Sequence, residues 1–237
     1  MSFDKPLVSI LIPIHNCEKY LMRSLDSIMN QSFQDYEVIV VLNCCTDDSE
    51  NIVKSYQKEF PLKILKCDEP GIVPALNTGI FACEGDLIAR QDGDDYWYPD
   101  KLVEQVEFLN QNPDVDIVGT QIRMVDSELK PIEDSLTHPL VNLEIKQKLL
   151  GGNNAIAHPS VVFRRKIFNK AGIYEDTYKF AEDYYLWLKC VRWYKFANLP
   201  DIMVDYRISN NPDFNPKIPQ MACYNMLQVL KQQGLIQ

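Results

Sequence analysis

Asp86-Leu87-Ile88-Ala89-Arg90-Gln91-Asp92-Gly93-Asp94-Asp95 reads as a short apolar run ending in a tight acidic turn. The run predicts a buried strand. Side chains two apart on a strand share a face. Asp92 and Asp94 are therefore expected to project together from its carboxyl end, where open α/β sheets bind ligands. Two carboxylates on one face repel each other unless a cation or a donor group satisfies them. A hard divalent ion bridging to phosphate oxygens meets that need; a solvated Asp-Gly turn is the plain alternative.

Upstream, the same grammar repeats. Residues 8–14 (VSILIPI) and 36–43 (YEVIVVLN) are near-continuous apolar runs, the signature of strands buried on both faces. Leu21, Leu25, Ile28 and Met29 fall at helical spacing behind Asn16, a possible cap. Asp47 or Asp48 can cap a helix running to about residue 59, which Pro61 breaks. A short third strand follows at 62–66, then a helix over 72–83 ended by Gly85. This βαβαβαβ order predicts a parallel sheet flanked by helices. Pro99 and Asp100 open a helix whose buried stripe is Leu102, Val106 and Leu109, stopped at Asn112-Pro113.

Beyond residue 113 the pattern is mixed. Strands are expected at 115–125, 160–164 and 201–208, and helices at 143–150 and 182–193, the latter turning Tyr185, Leu188 and Val191 inward. Gly151-Gly152-Asn153-Asn154 reads as a flexible loop. Asn210-Asn211-Pro212 and Pro216 form a linker to an amphipathic helix over 220–232. That helix is expected to pack on the domain or on a second subunit as a homodimer. Peripheral membrane contact is the lesser alternative, because its polar face is Gln-rich and not basic.

Across 237 residues the formal charge is −9, and the pI is near 4.9. That balance excludes sequence-independent nucleic-acid binding. Arg164-Arg165-Lys166, the densest basic run, reads as a solvated helix start. No apolar stretch approaches the roughly 18 residues a spanning helix needs, and residues 1–6 lack the basic start of a signal peptide. The seven cysteines form no C-x-x-C pair. They read as free thiols of a reducing compartment, so a cytoplasmic location is expected.

In the order and spacing of these motifs the chain resembles a family 2 glycosyltransferase, an inverting enzyme of the GT-A fold. The resemblance is carried by Val8-Ser9-Ile10-Leu11-Ile12-Pro13-Ile14-His15-Asn16-Cys17-Glu18, Leu25-Asp26-Ser27-Ile28 with Gln31, and Glu37-Val38-Ile39-Val40-Val41. Gly71-Ile72, Ala75-Leu76-Asn77, Gly85-Asp86-Leu87-Ile88-Ala89, the acidic turn and Pro99-Asp100-Lys101-Leu102 continue it. His158-Pro159-Ser160, Ala181-Glu182-Asp183 and Tyr206-Arg207 stand at the family's acceptor-side motifs, so the likeness spans about residues 7–208. It implies an α/β, Rossmann-like, mostly parallel central sheet with a mixed α+β acceptor-side half. One domain over 1–210 is implied, with a nucleotide-sugar-binding half (1–113), an acceptor-side half (114–210) and a helical extension at 211–237.

The resemblance also implies roles. Asp94, with Asp92 assisting or reaching the ribose, would hold Mn²⁺ or Mg²⁺ on the diphosphate of a nucleotide-sugar donor. Asp183 would be the base that takes the acceptor hydroxyl's proton, or else only a helix cap. Pro13, His15, Glu18, Asn43, Asn77 and Gly93 would line the donor site. His15 would stack on the base or pack in its loop; Glu18 would contact the nucleoside or simply complement a helix start. Trp97, His158 and Glu182 would meet the acceptor, a glycan or lipid-linked glycan. Tyr98 and Tyr184 are further candidates for stacking on sugars, whereas Trp187 reads as core, and Asp95 as a structural cap of the following turn.

Two departures matter. The second strand ends Leu42-Asn43-Cys44-Cys45 where the family has two acids. An Asn amide can both accept and donate, which suits a pyrimidine and favours a UDP- or dTDP-sugar. Ser209 replaces a His that can complete metal coordination in relatives. Arg207 is then expected either to help neutralise the diphosphate or to form a surface ion pair. Competing readings are a nucleotide-sugar binder without turnover, and a nucleotidyltransferase. The second lacks its Gly-rich basic loop at Ile14-His15-Asn16-Cys17.

Overall fold

The structure, a computed structural model, describes residues 5–58, 60, 62–132, 137–176, 181–208, 217–232 and 234, with side chains of 217–224 left aside. Helix termination at residues 59 and 61, Ser209 and the 210–216 linker lie outside the described residues.

In chain order the elements are β1 (Val8–Ile14), α1 (Glu18–Met29), β2 (Tyr36–Asn43), α2 (Ser49–Tyr56), β3 (Leu62–Cys67), α3 (Ile72–Ala82), β4 (Leu87–Arg90) and β5 (Tyr96–Trp97). There follow α4 (Lys101–Gln111), β6 (Ile117–Val125), α5 (Asn142–Leu150), β7 (Val162–Arg164), α6 (Phe168–Ala171), α7 (Glu182–Cys190), β8 (Phe196–Arg207) and α8 (Lys217–Gln232). The strands form one sheet in the order β3-β2-β1-β4-β7-β6-β8-β5. β1 pairs in parallel with β2 and β4, β2 with β3, and β6 with β8; β7 joins the two parallel groups by antiparallel pairing with β4 and β6.

Alternation along the central strands divides the core. Leu11, Ile39, Val41 and Ile88 face one layer, which includes Leu76 and Ile80 of α3 and Trp187 of α7. Ile10, Ile12, Val38, Val40 and Ala89 face the other, with Leu21 and Leu25 of α1 and Leu102 of α4. Both faces are covered, which is why these strands carry apolar runs without polar alternation. Met226 and Leu230 of α8 belong to the first layer, so this helix packs on the domain.

The second half departs from expectation in extent. The strand expected at 160–164 is confined to Val162–Arg164, and residues 158–160 ahead of it form a 3-10 turn with Pro159 at its start. β8 begins at Phe196, ahead of the expected 201, and continues through exposed Pro200-Asp201. The register against β6 shifts between Gly119 and Ile122. Pro lacks a ladder donor, and a bulge is where a strand tolerates one. α7 stops at Cys190, short of 193.

Gly85 does more than end a helix. A Cβ there would lie 2.6 Å from the Ser9 backbone nitrogen and 2.8 Å from the Val8 carbonyl carbon. Gly85→Ala should overpack the β1–β4 junction at a cost of about 2 kcal/mol, lowering Tm by roughly 4–8 °C for a chain of this size. An unchanged Tm in calorimetry would contradict this close approach.

Candidate active site

Because β1, β2, β4, β6 and β8 run the same way, their carboxyl ends share one edge of the sheet. His15, Asn43, the turn 92–95 and Arg207 all lie at that edge. The strand before the acidic turn ends at Arg90. Asp92 and Asp94 thus sit in a turn closed by the Asp95 N–H donating to the Asp92 carbonyl (3.3 Å), and strand alternation does not set their directions.

The turn is held from three sides. Ser24 Oγ donates to the Asp92 carbonyl (3.0 Å) and Gln91 Nε2 to the Asp95 carbonyl (3.2 Å). From β8, the Arg207 N–H donates to Asp95 Oδ1 (2.8 Å) and Arg207 Nε to the Asp94 carbonyl (3.0 Å). Gly93 lies against Cys17, whose Sγ would stand 3.1 Å from an added Cβ. Asp92 forms an ion pair with Arg90, which is only 4% exposed.

Burial first, and the Asp92 charge second, push the Asp94 carboxyl up to about 6. Burial and both neighbouring acids push Asp95 well above the ordinary carboxylate range, and its Oδ2 is buried without a partner. Asp95 thus fastens β8 through the Arg207 N–H, and is not the cap of the following turn. Asp92 and Asp94 fit a divalent cation as half a site. Among the described residues no three His, Cys, Asp or Glu side chains converge to hold an ion.

The second acidic group stands at the start of α7. Asn154 Nδ2 donates to Asp183 Oδ2 (2.7 Å), while Asn154 Oδ1 accepts from the Ala155 N–H (2.9 Å). The loop expected to be flexible therefore fastens Asp183. Burial raises the Asp183 carboxyl. Burial and the Asp183 charge push Glu182 up to about 7. Ala181 at the N-cap position of α7 makes no side-chain cap, while backbone N–H groups at the helix start, Tyr184 first among them, favour the ionised Asp183.

Several expected site residues are structural. Trp97 is fully buried, its Nε1–H donating to the Pro159 carbonyl (2.9 Å) with Lys101 Nζ 3.8 Å from its ring centre. The sugar-platform reading fails because alternation on β5 turns Trp97 inward and leaves Tyr96 and Tyr98 half-exposed. His158 is buried, with Nε2 2.7 Å from the Tyr174 hydroxyl; burial and nearby Arg90 hold it well below the usual imidazole range. It is a satisfied core histidine. Tyr184 is buried too, donating its hydroxyl to the Leu149 carbonyl (2.6 Å).

Asn77 does not face a ligand either: its amide donates to the Tyr174 carbonyl (3.0 Å) and accepts the Tyr174 N–H (3.2 Å). Asn43 is equally committed. Its Nδ2 donates to the Cys67 (3.2 Å) and Glu69 (2.6 Å) carbonyls, and its Oδ1 accepts from Gly71 N–H (3.0 Å). The nucleobase-reading role therefore fails. Glu18 accepts the Asp48 N–H (2.9 Å) while its own N–H donates to Asp47 Oδ2 (2.9 Å), a clamp between loops. Pro13 is buried in β1 opposite Val41.

Arg207 is 5% exposed, which removes the surface ion pair. Its guanidinium binds the Asp94 and Asp126 carbonyls and stacks 3.7 Å from the Tyr20 ring centre. His15 keeps an exposed ring, with Nδ1 2.7 Å from the Asn43 carbonyl oxygen. Arg90, Asn154 and Tyr174 were not anticipated. Only Arg90 carried a signal, as the lone cation in an apolar central strand. At the opposite end, Asp86, Pro113 and Arg164-Arg165-Lys166 line a cleft. Its cations are engaged internally: Arg164 with the Val115 and Leu109 carbonyls, Lys166 with Asp116 (2.8 Å).

Two outcomes follow from this geometry. Asn43→Asp sets a carboxylate against two carbonyls and should cost at least about 2 kcal/mol in denaturant unfolding. A variant of wild-type stability with altered nucleotide preference would restore the base-reading role. The acids raised by folding (Asp94, Asp95, Glu182 and Asp183) bind protons more tightly folded than unfolded. Through these four groups stability should fall as pH rises from the ordinary carboxylate range, about 4, through about 7. Buried His138 and His158, held below the usual imidazole range, act in the opposite sense, so the acids' share is read as the difference between wild type and Glu182→Gln; an identical pH dependence of Tm in the two would contradict it.

Comparison with known proteins agrees with the architecture. Residues 9–172 match the profile of glycosyl transferase family 2. The chain is 29% identical to the O-antigen biosynthesis glycosyltransferase WbnJ of Escherichia coli, over 97% of this chain and 91% of that protein. It is 29% identical to the amylovoran biosynthesis glycosyltransferase AmsE of Erwinia amylovora, over 97% and 89%. Among solved structures, S. aureus TarS in complex with UDP superposes with a TM-score of 0.73 at 22% identity, over 94% of this chain and 64% of that one. The mannosyltransferase PcManGT of Pyrobaculum calidifontis, in complex with GDP-Man and Mn²⁺, gives 0.68 at 18%, over 98% and 73%. The α/β sheet described above is thus a GT-A fold, and the chain belongs to glycosyl transferase family 2.

Proposed function

We propose that this chain is an inverting glycosyltransferase that moves a sugar from a nucleoside-diphosphate donor to a hydroxyl of a glycan or lipid-linked glycan. The observation that carries the reading is the placing of two acid groups, the turn 92–95 and Glu182-Asp183, around one buried guanidinium. Arg90 bears electrostatically on Asp94, on Glu182 and on Asp183. WbnJ and AmsE, named for O-antigen and amylovoran synthesis, support a role in surface polysaccharide assembly.

In this reading Asp92 and Asp94 would hold a divalent cation, Mn²⁺ or Mg²⁺. A divalent cation, when bound, supplies Lewis-acid neutralisation of charge on the departing nucleoside diphosphate. Arg207 keeps the turn in place through the Asp94 carbonyl and Asp95. His15 offers the exposed ring face for the base. The UDP preference no longer rests on Asn43; UDP is the first ligand to test because TarS, of the same fold, has been crystallised with it.

Asp183 takes the proton from the acceptor hydroxyl as its oxygen attacks C1 opposite the leaving group. The bond from C1 to the diphosphate breaks, and configuration inverts in one displacement. Asn154 keeps Asp183 oriented. Burial raises its carboxyl, which strengthens it as a base. Among the described residues no helix is long and apolar enough to cross a membrane, so a lipid-linked acceptor would be met at its head group.

Asp183→Asn should lower transfer by about 10²–10⁴-fold while leaving nucleotide affinity within about twofold, measured by product formation and calorimetry. Wild-type turnover in this variant would remove the base assignment. Because the base must be ionised and burial raises its carboxyl, transfer should fall as pH drops toward an acid limb lying above the ordinary carboxylate range. Glu182→Gln removes the neighbouring charge and should move that limb to lower pH. A limb that stays in place would separate Glu182 from the base.

A further inference from the structure

Arg90 ends β4, the strand at the middle of the sheet, and shares its face with Ile88, on the layer that packs against α7. It is 4% exposed. A buried guanidinium is costly unless acids compensate it, and here they stand on two different elements. Its Nη1 binds Asp92 Oδ2. Among the described residues no hydrogen bond engages Asp92 Oδ1. Arg90 Nε is itself buried without a partner, so the fork is not exhausted by Asp92. Its charge also bears on Glu182 and Asp183 at the start of α7.

We propose that Arg90 is a positioning residue that ties the donor-binding turn to the acceptor-side acids. One arm of the guanidinium fixes one oxygen of Asp92 and leaves the other for the donor's cation, as partners behind a ligand orient it in metal sites generally. The same charge offsets the repulsion that Glu182 and Asp183 would otherwise feel from Asp92 and Asp94. Lysine would keep the charge but lose the planar fork that holds Asp92 at a fixed angle. This rests on the reading of Asp183 and the turn 92–95 given above.

The test is a rescue cycle followed by thermal unfolding without ligand, using Arg90→Lys and Arg90→Met, each alone and combined with Asp92→Asn or Asp183→Asn. Arg90→Met should lower Tm by several degrees, and either acid substitution should then recover part of the loss, since each removes a charge left uncompensated. If Asp183→Asn changes Tm identically in the wild-type and Arg90→Met backgrounds, the link to the acceptor side is overturned. Should Arg90→Met fail to fold, the same comparison is made with the neutral, hydrogen-bonding Arg90→Gln. In parallel, calorimetry with UDP and Mn²⁺ should show Arg90→Lys binding at least about tenfold more weakly than wild type, and equal affinity would overturn its hold on Asp92. If the wild type itself binds no UDP, the nucleotide assignment is what fails, and the ligand-free cycle still decides Arg90.

Discussion

Like charge held at one end of a sheet is the constraint on which this molecule turns. Asp92, Asp94, Asp95, Glu182 and Asp183 gather at the carboxyl edge, where parallel strands leave a crevice. A fold does not collect five acids without compensation. Asp95 accepts the Arg207 N–H, and burial raises its carboxyl. Asp92 pairs with buried Arg90, and Asp183 with the Asn154 amide. What remains uncompensated on Asp94 is the charge that a cation and a diphosphate would complete. Destabilisation of the empty site is thus the counterpart of affinity for the filled one.

The backbone that creates the crevice was legible in the sequence. Runs such as VSILIPI and YEVIVVLN admit one environment, a strand covered on both faces, and their spacing leaves room for one helix between each pair. The acceptor-side half was less so. Pro200 lies inside β8, ahead of the expected strand start, and the bulge that accommodates it depends on pairing with β6. Local periodicity carries no trace of a partner strand some eighty residues away.

The site divides along the same line. Asp92, Asp94 and Asp183 were singled out from charge and motif, and their roles are those proposed above. Asn77, Asn43, His158 and Trp97 could not be read in that way, because each one's role is fixed by a partner that sequence does not bring near. Asn77 meets Tyr174 across 97 positions; Asn43 meets Glu69 across 26. A polar side chain in a conserved-looking motif can equally serve a ligand or a backbone carbonyl, and only geometry tells which. Arg90 failed in the opposite sense: within an apolar strand it passed as one more strand residue, although its burial makes it the positive centre of the site.

The measurement that tests the central claim most directly is a crystal structure of the chain grown with UDP and Mn²⁺. The account predicts the ion between Asp94 and the diphosphate, with the sugar-bearing end of the nucleotide opening toward Asp183. Nucleotide bound instead in the cleft lined by Arg164, Arg165 and Lys166, at the far end of the sheet, would contradict it.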